Sequence, residues 1–456
     1  MHAPVLEERR FARIDPRSRI GDLLGELAAV DAHLWSPWAI LLVHFDDDDP
    51  AALPPLDHYR QLFTSAGAGT TLNMVEFFAD MSHGRVDLSG SQVFGWLRLP
   101  VTRSQYVGNV YPQPPGQVNR NGLLDLARAA ATASGVNLPD FAGVCVSGFG
   151  TVDLCGWVGG MAALCDSNSL QPSVLGQEMG HGYGLDHARL EGSTADYQDP
   201  WDVMSTAVWP DQEADDPNYV KVGPGLNAWS MRSRSWLNES RVWKPANPGA
   251  GYDVTIDLRP LHDRHLTGYL AAELGKYLVE FRVPERWDAA FEKACVFVHR
   301  FEDNHSYLQR AQSGQAPMVE GDRFVDGLHD ATIVAYFEAE VQRIDAAGRV
   351  ATVRLHYRPA GMVHVPELVG HPHVGDPVIV HLPGGDVVSV PSHAPIGHLL
   401  GHALRYHSIE LKGDIASALA ARRAALTDVM RSALALHAEA EDVTETPPGF
   451  TEGRGG

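Results

Sequence analysis

Gln177, Glu178, His181 and His187 fall within one short run, Gln177-Glu178-Met179-Gly180-His181-Gly182-Tyr183-Gly184-Leu185-Asp186-His187. If Leu175–Tyr183 is helical, positions 177 and 181 project from one face towards one point, because residues four apart on a helix lie one above the other. Gly182 and Gly184 would end that helix, since glycine takes left-handed dihedrals without steric cost, and the reversal would return His187 to the same point. Two imidazoles and a carboxamide oxygen could share a metal ion there, with Glu178 beside it. In zinc hydrolases of this layout the metal acidifies water and polarises the scissile carbonyl, while the glutamate passes the water's proton to the leaving amine. At this chain's residue frequencies the pattern Glu-x-x-His-x-x-Gly-x-x-His arises by accident on the order of once in a hundred such chains. A second segment, Asp199-Pro200-Trp201-Asp202-Val203-Met204-Ser205, is rich in turn formers and places a methionine shortly downstream.

The elements that must position these groups alternate. Ala39–Phe45 is an apolar, strand-like run, Leu72–Ser82 has helical spacing, and Val86–Leu99 alternates with breaks at Gly90 and Gly95. Asn121–Ser134 reads as a helix closed by Gly135, and Gly143–Gly148 as a strand. The pattern is of α/β type to about Trp243. Lys244–Gly251 is a Pro/Gly/Asn stretch of the kind that links domains. Beyond it, short alternating runs at Tyr252–Leu258, Lys276–Val283, Cys295–Phe301, Thr332–Phe337 and Val350–Tyr357 carry a β-sandwich signature. Tyr277, Phe281, Phe297 and Phe301 fall at even spacings, as a sandwich core requires. A His- and Pro-rich stretch then leads to a helix over Ile415–Ala440 and a polar tail. The expected organisation is an N-terminal extension (1–37), a catalytic domain (38–243), a β-sandwich-like domain (252–359) and a C-terminal segment (360–456); the fold class is α+β.

With these residues in view, the chain resembles the metzincin zinc metallopeptidases, and within them the immune-inhibitor-A and gametolysin-like families. The resemblance runs through Phe77-Phe78-Ala79-Asp80-Met81-Ser82-His83-Gly84-Arg85-Val86 and Gly95-Trp96, to Gly223-Pro224-Gly225-Leu226-Asn227-Ala228 and Trp236. It implies a twisted sheet over two long helices, zinc held by His181 and His187, Glu178 as catalytic acid/base, and Met204 as the methionine of the Met-turn. Gln177 departs from it, standing where the first ligand histidine is expected. A glutamine has about the reach of an imidazole and offers a neutral oxygen, a poorer zinc donor than imidazole nitrogen. Three readings remain open: a working peptidase with an unusual ligand, a natural pseudopeptidase that binds a polypeptide or glycan, and a site disabled by substitution. A hydrolase of small amides is a further possibility.

Composition narrows the partners. The 456 residues carry 57 acidic and 36 basic side chains, a formal net charge of −21, which repels nucleic acid and anionic membrane surfaces. A peptide or protein substrate is expected instead. No apolar run approaches the eighteen or so residues that span a bilayer, so no membrane insertion is expected. Met1–Arg19 lacks the apolar core of a secretory signal, and Cys145, Cys155, Cys165 and Cys295 suit reduced thiols, so a cytoplasmic location is expected although the resembled families are largely secreted. Asp46–Asp49 reads as a solvated acidic turn rather than a calcium loop. The histidines from His364 to His407 match no closed zinc spacing. Tyr183 and Tyr197 are near enough in sequence to steady an oxyanion, or to serve as core or cleft wall.

Overall fold

In a computed structural model, the structure describes residues 34–168, 170–205, 210–327 and 335–360, together with the antiparallel strand pair Val378–His381 and Val387–Val390. The extension up to residue 33, the histidines from His364 to His407 other than His381, and the helix expected over 415–440 lie outside the described residues. The chain divides into one compact unit of Met1–Asp326 with Phe337–Tyr357, and a second of Gly327–Tyr336 with Arg358–Gly456.

The first unit is mixed α and β, with several sheets and few helices. Its first sheet is built from β1 (Trp38–His44), β2 (Gln92–Arg98), β3 (Gly143–Gly148), β4 (Leu154–Trp157) and β5 (Ala162–Asp166), in the order β2-β1-β3-β5-β4. The pairings are parallel except that of β4 with β5, so the edge strand β4 runs against the rest. Strand β1 is buried at every position, as a central parallel strand covered on both faces must be. Its side chains alternate between two cores. Ala39, Leu41 and Val43 pack with Leu123, Leu124 and Ala127 of helix α3, whereas Trp38, Ile40 and Leu42 pack with Phe77 and Phe78 of α2 and with Leu175 and Met179 of α4.

The helices are α1 (Asp57–Phe63), α2 (Met74–Met81), α3 (Arg120–Ala133), α4 (Pro172–Gly182) and α5 (Ala228–Ser233). Three of them start on an asparagine whose side chain accepts a backbone N–H of the first turn: Asn73 from Glu76 at 3.0 Å, Asn119 from Gly122 at 2.9 Å and Asn227 from Ser230 at 2.8 Å. Helix α4 starts on Pro172, whose missing N–H costs nothing in a first turn, and all its residues are buried.

Further along come β6 (Arg189–Leu190), β7 (Val242–Trp243), β8 (Tyr252–Leu258), β9 (Ala271–Leu274), β10 (Tyr277–Arg282), β11 (Cys295–Glu302), β12 (His305–Leu308), β13 (Arg323–Asp326), β14 (Tyr336–Asp345) and β15 (Val350–Arg358). They form a six-stranded sheet, β6-β12-β11-β10-β9-β7, and a four-stranded sheet, β8-β15-β14-β13. The first of these draws β6 and β7 from the sequence before Lys244, so strands on both sides of the Pro/Gly/Asn stretch share one sheet. Its two faces also serve two cores: Ala271 and Leu278 join the core beneath α4, while Ala272, Val279, Phe281 and Val298 pack with Ile256, Leu258, Val353 and Leu355 of the four-stranded sheet. All four cysteines are free. Among the described residues no helix is long and apolar enough to cross a membrane.

Candidate active site

The helical reading of the motif holds in α4, which carries Gln177, Glu178 and His181, each 6% exposed or less. The helix ends at Tyr183, whose N–H donates to the Met179 carbonyl at 3.2 Å, and the chain reverses at Gly184 with φ +90°. Gly182 plays another part: it is the last helical residue, and a Cβ there would stand 2.7 Å from the Trp38 indole. The reversal returns His187 to His181, with ring centroids 4.6 Å apart and planes at 87°.

Each imidazole is held through Nδ1. His181 Nδ1 faces the Leu185 carbonyl at 2.8 Å, and His187 Nδ1 faces Asp196 Oδ2 at 3.2 Å. A carbonyl and an ionised carboxylate only accept, so both rings turn an Nδ1–H towards them and leave Nε2 to face elsewhere. Burial drives the His181 pKa down to about 4, outweighing the Leu185 bond, and the ring is neutral at physiological pH. Asp196 is held ionised: burial opposes this, but hydrogen bonds from Arg189 and His187 outweigh it and lower its pKa. Arg189 Nε donates to Asp196 Oδ1 at 2.8 Å, completing a cation–carboxylate–imidazole relay that fixes the ring of His187.

Two side-chain oxygens of α4 are buried without a hydrogen-bond partner among the described residues, Ser173 Oγ in its first turn and Gln177 Oε1 beside Glu178. Gln177 Nε2 lies 3.3 Å from Glu178 Oε1. The amide orientation follows from chemistry, because the opposite assignment would set two acceptors against each other. Glu178 is pushed up to a pKa of about 7 by burial, which the Gln177 bond only partly offsets. It lies against the edge strand: a Cβ on Gly156 of β4 would stand 2.3 Å from the Glu178 carbonyl oxygen and 2.5 Å from His181 Cβ.

Met204 lies beneath the helix. It is fully buried, and its Sδ would stand 3.0 Å from a Cβ on Gly180. Its loop is drawn tight by Asp202, which accepts from Met204 N and Asn227 N, both at 2.7 Å. Asp199 at the loop's start accepts from His299 Nε2 of β11 at 2.9 Å. Of the two tyrosines, Tyr183 is engaged in packing, its hydroxyl 2.8 Å from Ser36 Oγ and 3.0 Å from Trp38 Nε1. The Tyr197 ring lies against His187, with centroids 4.1 Å apart and planes inclined at 43°. The acidic turn 46–49 is occupied locally, with Asp48 accepting from Phe45 N and pairing with Arg103, and Asp49 capping a short helical turn.

The structure therefore brings Gln177, Glu178, His181, His187 and Met204 into one place. Sequence reasoning missed Asp196, Gly156, Asn304 and His305, all of which touch the site. Among the described residues no group of three His, Cys, Asp or Glu side chains is placed to hold a metal ion. No family model matches this chain, and no curated protein matches it.

Proposed function

We propose that the protein is a zinc-dependent peptidase of metzincin type, with a β-sandwich-like region following its catalytic part, and that Gln177, His181 and His187 hold the metal. The observation that carries this reading is the orphaned Gln177 Oε1. A buried acceptor without a partner costs about 1–3 kcal/mol, and here it sits one helical turn from an imidazole whose own free nitrogen is unengaged. A cation shared by these donors would remove that cost.

Two imidazoles and one carboxamide make a neutral donor set suited to a borderline cation such as zinc. Bound there, zinc would supply Lewis acidity towards water and a peptide carbonyl. Glu178, beside the donors, takes a proton from the attacking water and delivers it to the leaving nitrogen. The Gln177 amide steadies the carboxylate in the orientation that exchange requires. An extended peptide finds its docking edge in β4, which ends the first sheet and passes directly over Glu178 at Gly156; strand addition would align the scissile bond with the carboxylate.

A second reading has its own observation. Among the described residues the site has no third histidine or carboxylate; on this reading its donors are too weak to hold zinc, and the protein binds polypeptide without cutting it.

The deciding experiment measures zinc stoichiometry after loading and removal of excess metal, with cleavage of unfolded casein before and after chelation. The expected result is about one zinc per chain with chelator-sensitive cleavage, and loss of cleavage by roughly 100-fold or more in Glu178→Gln with zinc retained. A zinc-free, inert parent would establish the second reading.

A further inference from the structure

Strands β11 and β12 of the six-stranded sheet are joined at Asp303 and Asn304, whose φ angles of 50° and 64° are those of a tight two-residue hairpin turn. The tip of this hairpin reaches the loop that follows α4. Asn304 Nδ2 donates to the Gly184 carbonyl at 3.0 Å, and His305 Nδ1 donates to the His187 carbonyl at 2.8 Å. Arg234 donates to the Tyr183 carbonyl at 3.4 Å and to Asn304 Oδ1 at 3.1 Å, which fixes the Asn304 amide in its donating orientation. Just beyond, β6 pairs with β12, Arg189 opposite Tyr307 and Leu190 opposite Leu308. Within the segment from Tyr183 to Leu190, the second sheet therefore holds Gly184, His187, Arg189 and Leu190.

We propose that Asn304 and His305 are positioning residues for His187, so that the hairpin of the second sheet sets where that imidazole stands. The consequence for metal binding rests on the metal-site reading above; the clamp on the loop does not. Helix α4 fixes Gln177 and His181 through its own backbone bonds, but after Gly184 the chain has left the helix. A donor on such a loop keeps its place only if the loop is anchored from outside: Ala188 is tied to Met204, Gln198 and Ser205, and the carbonyls of Gly184 and His187 themselves are anchored by one hairpin. Both carbonyls belong to the residues that turn the chain back, Gly184 at the reversal and His187 at the donor.

The test compares the parent with Asn304→Gly, His305→Ala and Val353→Ala. Glycine accepts the positive φ at position 304, so Asn304→Gly removes the clamp and keeps the turn. Val353 is fully buried in the core shared with the four-stranded sheet, so its truncation lowers stability away from the site. Zinc affinity is measured by competition with a chromophoric chelator, and hydrogen–deuterium exchange is followed over residues 184–190 in metal-free protein. Asn304→Gly and His305→Ala are each expected to weaken zinc roughly 10- to 100-fold and to speed exchange in that segment, while Val353→Ala lowers the melting temperature and changes neither. Parent-like exchange and affinity in both hairpin variants would overturn the proposal, as would equal effects from Val353→Ala. If the parent takes up no zinc, the metal reading falls, and exchange alone decides the clamp: faster in the hairpin variants supports it, unchanged overturns it.

Discussion

Replacing Gln177 by histidine exchanges a carboxamide oxygen for an imidazole nitrogen at the same height on α4. The change removes the amide that lies 3.3 Å from Glu178 Oε1 and supplies the donor type that zinc favours. The two effects act on different measurements. Zinc affinity is expected to rise by about 10-fold or more, because imidazole is the better donor. Turnover per bound zinc is expected to rise less, since Glu178 loses the group that orients it. Zinc competition and metal-saturated kinetics on Gln177→His separate the two, and an affinity equal to or below the parent's would mean that position 177 does not face the metal. At this scale the sequence was informative where one turn of helix made spacing equal to proximity: Gln177, Glu178 and His181 stand as their spacing requires. Asp196, Asn304 and His305 were not legible. Each acts through a hydrogen bond to a residue outside any repeating pattern, His305 to a carbonyl 118 positions away, and no local periodicity encodes such a contact.

The elements that carry the site differ in how much of their form is local. Strands β3 and β8 run over Gly143–Gly148 and Tyr252–Leu258, the bounds expected from their apolar or alternating residues. Strand β4 was not anticipated. Its four residues, Leu154–Trp157, include a glycine and show no pattern of their own, and their extended form comes from pairing with β5 and from lying on α4. That close approach yields a prediction at the level of the element. Gly156→Ala would set a methyl group 2.3 Å from the Glu178 carbonyl oxygen, and neither the backbone nor His181 can give way without moving the helix. Overpacking of this kind costs about 1–3 kcal/mol, so the melting temperature is expected to fall by several degrees, and cleavage to fall further than stability alone explains as β4 lifts from Glu178. A variant with parental melting temperature and activity would show that β4 and α4 are not pressed together.

Across the whole molecule, the loop that carries Met204 is tied to the six-stranded sheet by buried charge. Asp199, Glu280, Arg282, Asp288 and His299 are each 3% exposed or less. His299 bonds Asp199 through Nε2 and faces Glu280 Oε2 across 3.5 Å through Nδ1, an ionic contact without hydrogen-bond geometry; Arg282 pairs with Asp288 at 2.5 Å and with Glu280 at 3.3 Å. Asp288 and Glu280 flank Arg282, while Asp199 and Glu280 flank His299, so this buried group favours a charged His299. Burial opposes that charge, but Glu280 and Asp199 outweigh it and raise the His299 pKa to about 10. A histidine whose folded pKa lies above its unfolded value stabilises fully below about pH 6.5, and the contribution disappears as pH rises from there through about 10. Asp202, raised to about 7 chiefly by burial, favours the same side. Glu280 and Asp288 are lowered, despite burial, by His299 and Arg282, and their stabilisation is lost only at acid pH. Stability should therefore peak in mildly acid solution and decline towards pH 10. His299→Gln leaves Asp199 and Glu280 without that cation at every pH, a loss of about 3–5 kcal/mol at pH 6 that shrinks as the parent's own histidine deprotonates. Melting curves of parent and variant between pH 5.5 and 10 are expected to converge at the alkaline end. Curves that stay parallel would mean that His299 is neutral throughout, and that the Met204 loop is held to the second sheet by hydrogen bonds alone.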